Sequence, residues 1–367
     1  MAGLEKISHI QFSFLLFGYI TGFEGLFLSE AKVLQQDVWI ANVVNVFMGI
    51  GVLSLICYVQ RQFPHKNLAE ICNKLMGKWV GKAMLCIYLV NNLENVSGGF
   101  RALSMFYTTI LLPNTSADVM ILTCVICSTY AVYIGLGTLV RMNLVVLPFF
   151  LVGFLTTCLF VFPEIQTNPF LPPFQSKFSE IIVQSLHLFT FTFSELITFG
   201  FLMSRVEQPQ KIFSSSVIAI IMSGFYMLII TYLTLGSLGI DYIKTSTFPF
   251  FSTLQLVKFG EYLERIEVIL IGIWTLLTLI YAVVLQYVFT LVLGSIFNIK
   301  KKKPFVFVVG LLFFAHSCRS FIRTADHFTY GDKIFPISSL LPCIIFPILL
   351  AVFTMIWKRS KETIRGT

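Results

Sequence analysis

Residues 18–25 read Gly18-Tyr19-Ile20-Thr21-Gly22-Phe23-Glu24-Gly25 inside an otherwise apolar run. Each of the three glycines weakens a helix by about 1 kcal/mol relative to Ala. In a bilayer, backbone groups freed by such weakness are tolerated only where they face protein or a wet cavity. The stretch therefore reads in one of two ways: an unwound segment at mid-span, or a small-residue surface for close helix packing. Glu24 beside the glycines points to the first. A similar combination recurs at Phe191-Thr192-Phe193-Ser194-Glu195-Leu196-Ile197-Thr198-Phe199-Gly200, where Ser194, Glu195 and Thr198 meet a glycine.

The surrounding composition says what kind of chain carries these stretches. Of 367 residues, 56% are hydrophobic, 15% aromatic and 12% charged. A soluble domain carries roughly 25% charged residues. Mean hydropathy is +0.84. Such a chain has too little polar surface to be a soluble enzyme, a disordered protein or a secreted disulfide scaffold. It reads as an all-α polytopic membrane protein forming a single domain over 1–367. Apolar runs predict ten transmembrane helices at 7–27, 38–60, 80–112, 117–135, 139–163, 181–203, 212–238, 266–297, 304–322 and 335–357. The two interrupted spans are then the first and sixth, the corresponding positions of two inverted five-helix repeats, about 7–163 and 181–357. Residues 64–78 and 249–265 have the mixed pattern of short helices lying on the inner and outer surface.

The net charge of +8 comes from Lys and Arg confined mostly to loops. With the N-terminus inside, 17 basic residues fall on the inner side and 8 on the outer. That asymmetry predicts both termini in the cytoplasm, and it makes the basic balance a matter of topology rather than of nucleic acid. The run Lys300–Lys303 reads mainly as a topology anchor, with anionic lipid as a second use. The N-terminal run lacks a small-residue cleavage site, so it reads as a retained span rather than a signal peptide. Cys124 and Cys127 have CxxC spacing but no second pair or His nearby, so they read as small apolar filler.

Ionisable groups at mid-span cost roughly 2.5–3.5 kcal/mol each on insertion scales, so they face the interior and serve a purpose. Glu24, Glu94 and Glu195 qualify. The third span places Asn91, Glu94, Asn95, Gly98 and Arg101 on one helical stripe, either as interhelical glue or as a cavity wall. His187, upstream of Ser194, reads as a hydrogen-bonded core residue. No catalytic Ser/His/Asp set, phosphate loop or zinc pattern appears, so neither an enzyme nor a metal or cofactor site is expected. Candidate ligand-binding residues lie where the two broken spans meet: Thr21, Gly22, Phe23, Glu24 and Gly25 with Phe193, Ser194, Glu195, Ile197 and Thr198. Asn95 and Thr278 come from the third and eighth spans.

Three segments carry a family resemblance: Gly22-Phe23-Glu24-Gly25-Leu26-Phe27-Leu28; Phe248-Pro249-Phe250-Phe251; and Tyr262-Leu263-Glu264-Arg265-Ile266-Glu267 followed by Ile273-Trp274. In these the chain resembles the B subunit of the nutrient germinant receptors of bacterial endospores. That is the spore germination permease family of the amino acid–polyamine–organocation superfamily. The resemblance implies a receptor in the spore inner membrane that stands beside A and C subunits. It would bind a small nutrient such as an amino acid in a transporter-like pocket. The alternative function is a proton-coupled secondary amino acid transporter, using the same pocket with Glu24 or Glu195 as the coupling group.

Overall fold

The computed structural model describes residues 6–23, 27–64, 66–165, 168–193, 195–257, 266–299, 302–320 and 324–365. Among these the chain is helical, with no strand beyond an isolated bridge between Ile7 and Val206. Seven helical stretches are long and apolar enough to cross a membrane by length and composition.

In chain order the first half runs α1 (His9–Phe23), α2 (Ser29–Leu34), α3 (Val38–Gln62), α4 (Leu68–Met76), α5 (Lys78–Phe106), α6 (Ala117–Ile134) and α7 (Leu136–Val161). The second half runs α8 (Phe178–Thr192), α9 (Leu196–Leu202), α10 (Ile212–Leu238), α11 (Ile240–Thr245), α12 (Pro249–Leu254), α13 (Ile266–Ile296) and α14 (Lys302–Ser320). The last stretch is α15 (Thr324–Thr329), α16 (Phe335–Leu340) and α17 (Phe346–Arg365), joined by π-helical turns at Tyr330–Ile334 and Leu341–Ile345. α1 has only 15 described residues, and α5 and α14 carry polar and charged residues along their length, so these three fall outside the count of seven.

Helix ends follow local chemistry. Ser116 caps α6 by accepting from the Val119 amide, and Asn67 caps α4 by accepting from the Glu70 amide. Gly135 (φ 120) and Gly239 (φ 77) stop α6 and α10 in backbone regions closed to most side chains. α4 is the expected short amphipathic helix, with Leu68, Ala69, Ile71 and Cys72 buried. Beside it, Lys74 lies over the rings of Phe63 and Trp357, tying α4 to α17.

The core is built round α1, which packs on α7, α10 and α13. Phe12, Leu15 and Leu16 are fully buried there. The outward face of α7 (Val152, Leu155, Leu159) is apolar and exposed, as a lipid-facing surface requires.

One expectation fails after α11. The described part of 249–265 is not a surface-lying helix: Pro249, Phe250, Phe251, Thr253 and Leu254 of α12 are all buried. Phe248 and Phe251 pack edge-on against Phe106 at 5.2 and 5.3 Å. Four aromatic rings bury more apolar area together than any surface orientation would allow. Residues 258–265, with Glu261, Glu264 and Arg265, lie outside the described residues.

The connector between the halves is fastened by Asp37, which is fully buried at the start of α3. Its carboxylate accepts from the backbone amides of Phe174, Gln175 and Ser176, each at 2.6 Å. Successive amides turned onto one anion form a nest, and Phe174 takes a left-handed φ of 62° to make it.

Candidate functional site

α1 ends at Phe23 and α2 begins at Ser29, with Leu28 left-handed at φ 47. α8 ends at Thr192 and α9 begins at Leu196. Both glycine- and carboxylate-bearing stretches therefore coincide with ends of helix. Glu24, Gly25 and Ser194 lie outside the described residues.

The second break holds a buried polar cluster. Glu195 is 2% exposed. Its Oε1 accepts from Asn91 Nδ2 (3.1 Å) and Asn95 Nδ2 (2.8 Å), both on α5. Its Oε2 accepts from Thr198 Oγ1 at 2.8 Å, one turn into α9. A carboxylate is an acceptor, and three convergent donors are what it needs when water is excluded.

The network continues outward from these donors. Thr198 Oγ1 lies 2.8 Å from the Tyr88 hydroxyl, which accepts from Asn92 Nδ2 at 3.1 Å. Asn95 Oδ1 accepts from Tyr281 of α13 at 2.5 Å, and Asn91 Oδ1 accepts from Ser339 of α16 at 2.9 Å. Residues of α5, α9, α13 and α16 are thus joined in one network around the carboxylate. Tyr19 of α1 lies beside them, its ring 4.8 Å from Tyr281 and 5.1 Å from Phe199. It is buried, and its hydroxyl has no hydrogen-bond partner among the described residues.

The first break is organised differently. A methyl at Gly22 would run into the backbone carbonyl of Leu277 on α13. One at Gly18 would strike the Asn143 side chain on α7. Both glycines therefore sit within helical α1 at close helix approaches, so through Phe23 the stretch packs rather than forming the unwound segment that Glu24 pointed to. The Gly22 carbonyl accepts from Thr278 Oγ1 at 2.5 Å. Thr21 is fully buried, and its hydroxyl donates to the Phe17 carbonyl at 2.8 Å. It can offer a ligand only acceptor lone pairs. Phe193 lies against Gly49 of α3, and Ile197 is fully buried.

The stripe on α5 divides. Asn91 and Asn95 turn to Glu195, whereas Glu94 faces His316 of α14 at 3.3 Å. Gly98 faces His327. Tyr88, Asn92, Ser339 and Tyr19 were not singled out from sequence. Asn92, next to Asn91 in an apolar run, was the available signal, while tyrosines there read as hydrophobic filler.

Beyond the breaks, His187 Nδ1 lies 2.9 Å from Glu30 Oε1 of α2, and its Nε2 lies 3.7 Å from Asp332 Oδ1. His187 and Asp332 border a pocket of about 310 Å³ with Phe27, Lys32, Gln184 and Thr247. Lys32 donates to the Ser246 carbonyl at 2.9 Å. Among the described residues no cluster of three His, Cys, Asp or Glu is placed to hold a metal.

The chain is 24% identical to spore germination protein YndE of Bacillus subtilis (strain 168), over 98% of each chain. It is 22% identical to spore germination protein KB of the same organism, over 93% of this chain and 92% of that one. Among solved structures it is similar to MhsT in complex with L-phenylalanine, with a TM-score of 0.65 at 13% identity, covering 95% of this chain and 88% of that one. At that identity the likeness is one of fold. The spore permease profile, described as spore germination protein, matches residues 6–323, and the chain belongs to that family.

Proposed function

We infer that the chain is the ligand-sensing B-type subunit of a spore nutrient-germinant receptor. It takes a small nutrient of the amino-acid class where the ends of α1 and α8 meet, walled by α5 and α13. On this reading it crosses the spore inner membrane ten times as two inverted five-helix repeats, about 7–163 and 181–357. Both termini are cytoplasmic, and A and C subunits stand beside it.

Family membership supports the setting. The observation that carries the pocket is Glu195, a buried carboxylate at a helix break whose donors come from α5 and α9. Both its oxygens are occupied by protein donors, so its role is to hold Asn91, Asn95 and Thr198 in place. The ligand's own ammonium and carboxylate are met by backbone groups freed at the two breaks. The Tyr19 hydroxyl adds one side-chain contact. Occupancy favours one of two conformations, and the partner subunits read the shift.

A second reading, proton-coupled secondary amino acid transport, is favoured by the same carboxylate on a broken helix. Against it, α7 holds no acid or Lys to help couple a cation.

The test is Glu195→Gln in spores and in vesicles. A receptor predicts normal membrane level, an altered germinant dose–response, and no uptake of labelled amino acid by wild-type vesicles. Concentrative uptake driven by a proton gradient and lost in Glu195→Gln would replace the receptor by the transporter. An unaltered dose–response at normal protein level would remove Glu195 from the site.

A further inference from the structure

Between α6 and α14 runs an outward-facing groove of about 340 Å³. Leu122, Ile126 and Tyr130 form one wall, and Phe307, Leu311 and Phe314 the other. Its floor is made where Gly310 meets Thr129, so closely that a methyl on the glycine would overlap the threonine hydroxyl. That hydroxyl accepts from Gln286 Nε2 of α13 at 2.9 Å, which turns its polarity inward and leaves the floor apolar.

The groove has a definite length and a definite end. From Leu122 to Tyr133 a helix rises about 16 Å, close to half of a ~30 Å hydrocarbon core. At that end Tyr133 packs on Phe307 at 5.4 Å, and Lys303 Nζ stands 5.1 Å over the Tyr133 ring. Lys303 is exposed and belongs to a run of four lysines. The sequence has no Asp or Glu between Asp118 and Glu164, nor between Glu267 and Asp326. The lysine end of the groove therefore has no carboxylate from α6, α7, α13 or α14 to neutralise it.

We propose that this groove is a phospholipid site: an acyl chain lies between α6 and α14, and an anionic headgroup phosphate sits at Lys303. The shape separates this occupant from a partner helix. A third helix needs a face about 10 Å wide and close-packs through small residues. Here Gly310 is already spent on Thr129, and the walls that remain are large side chains. A single polymethylene chain needs no small-residue contact and can fill the groove by van der Waals contact with its large side chains.

The test uses the full-length protein in phosphatidylcholine vesicles containing phosphatidylglycerol with a photoactivatable acyl chain. Labelling is expected to concentrate in peptides of α6 and α14. Lys303→Gln should reduce it about fivefold, the equivalent of about 1 kcal/mol for one basic residue at an anionic surface. Leu311→Trp should fill the groove and abolish labelling there. If that variant fails to reach the membrane, Ile126→Trp fills the groove from the other wall. Two results would overturn the proposal: equal labelling by a phosphatidylcholine probe, unmoved by either substitution; or, in membranes holding the whole receptor, a photo-crosslinker at position 126 capturing another polypeptide instead of lipid.

Discussion

At the end of α1 the chain is held by backbone. Gly22 lies against the Leu277 carbonyl, and its own carbonyl is bonded by Thr278. At the end of α8 it is held by side chains. Glu195 collects Asn91, Asn95 and Thr198, and Asn95 and Asn91 pass the network to Tyr281 and Ser339. The first break depends on distance and admits no added atom. The second depends on donors and acceptors, and a change of chemistry at constant shape can retune it. A ligand that adjusts the equilibrium between two conformations would act on the second kind of contact, because hydrogen-bond partners can be exchanged whereas interpenetrating backbones cannot.

The comparison breaks most readily at Gly22. Gly22→Leu drives a side chain into backbone that cannot move aside, so we expect little or no folded protein in the membrane. Gly22→Ala should be intermediate, since overpacking costs typically 1–3 kcal/mol. Membrane level and thermal unfolding in detergent measure both, and wild-type values for Gly22→Leu would show that α1 and α13 are not this close.

At the second break, size and chemistry should separate. Glu195→Ala strands three buried donors at about 1–3 kcal/mol each when they find no new partner. Glu195→Gln keeps the shape and one acceptor oxygen, so it should unfold several degrees above Glu195→Ala. Identical melting temperatures would mean that the carboxylate does not organise the break.

A smaller effect tests whether the network is continuous. Tyr281→Phe removes one hydrogen bond, worth about 0.5–1.5 kcal/mol. In an Asn95→Ala background the part of that cost owed to this bond should vanish, because the acceptor is already gone. Additive effects in this double-mutant cycle would uncouple α13 from Glu195.

The smallest change expected is at Thr278. Thr278→Val deletes the bond to the Gly22 carbonyl but keeps the side-chain volume. We expect a loss of at most about 1.5 kcal/mol, recovered by Thr278→Ser. A loss as large as that of Gly22→Leu would place the first break under side-chain control after all.

Much of this was legible in the amino-acid order. The 212–238 apolar run is α10 to the residue, because apolar runs ending in loops or glycine leave little choice of boundary. Glu195 and Asn95 stood out because acids and amides are costly in apolar surroundings. What the order could not convey is which neighbour each polar residue meets. Successive helix positions differ by about 100°, so Glu94 points well away from its neighbour Asn95, and the two reach different helices. Nor could spacing decide between an unwound glycine segment and a close-packed one, since that depends on Leu277, far along the chain. Tyr19 and Tyr88 were hidden because a tyrosine in an apolar run counts as hydrophobic until its hydroxyl is located.

Asp37 has a further consequence, in proteolysis. The segment it holds is exposed at Phe174 and Lys177, and by accessibility alone trypsin should cut after Lys177. A protease needs several residues drawn out into an extended strand, and the amides of 174–176 are committed to one buried carboxylate. Native protein should therefore resist cleavage at Lys177, and Asp37→Ala should be nicked there while remaining folded. Added to sealed vesicles or protoplasts, trypsin would then report from a single engineered nick which side of the membrane the connector faces.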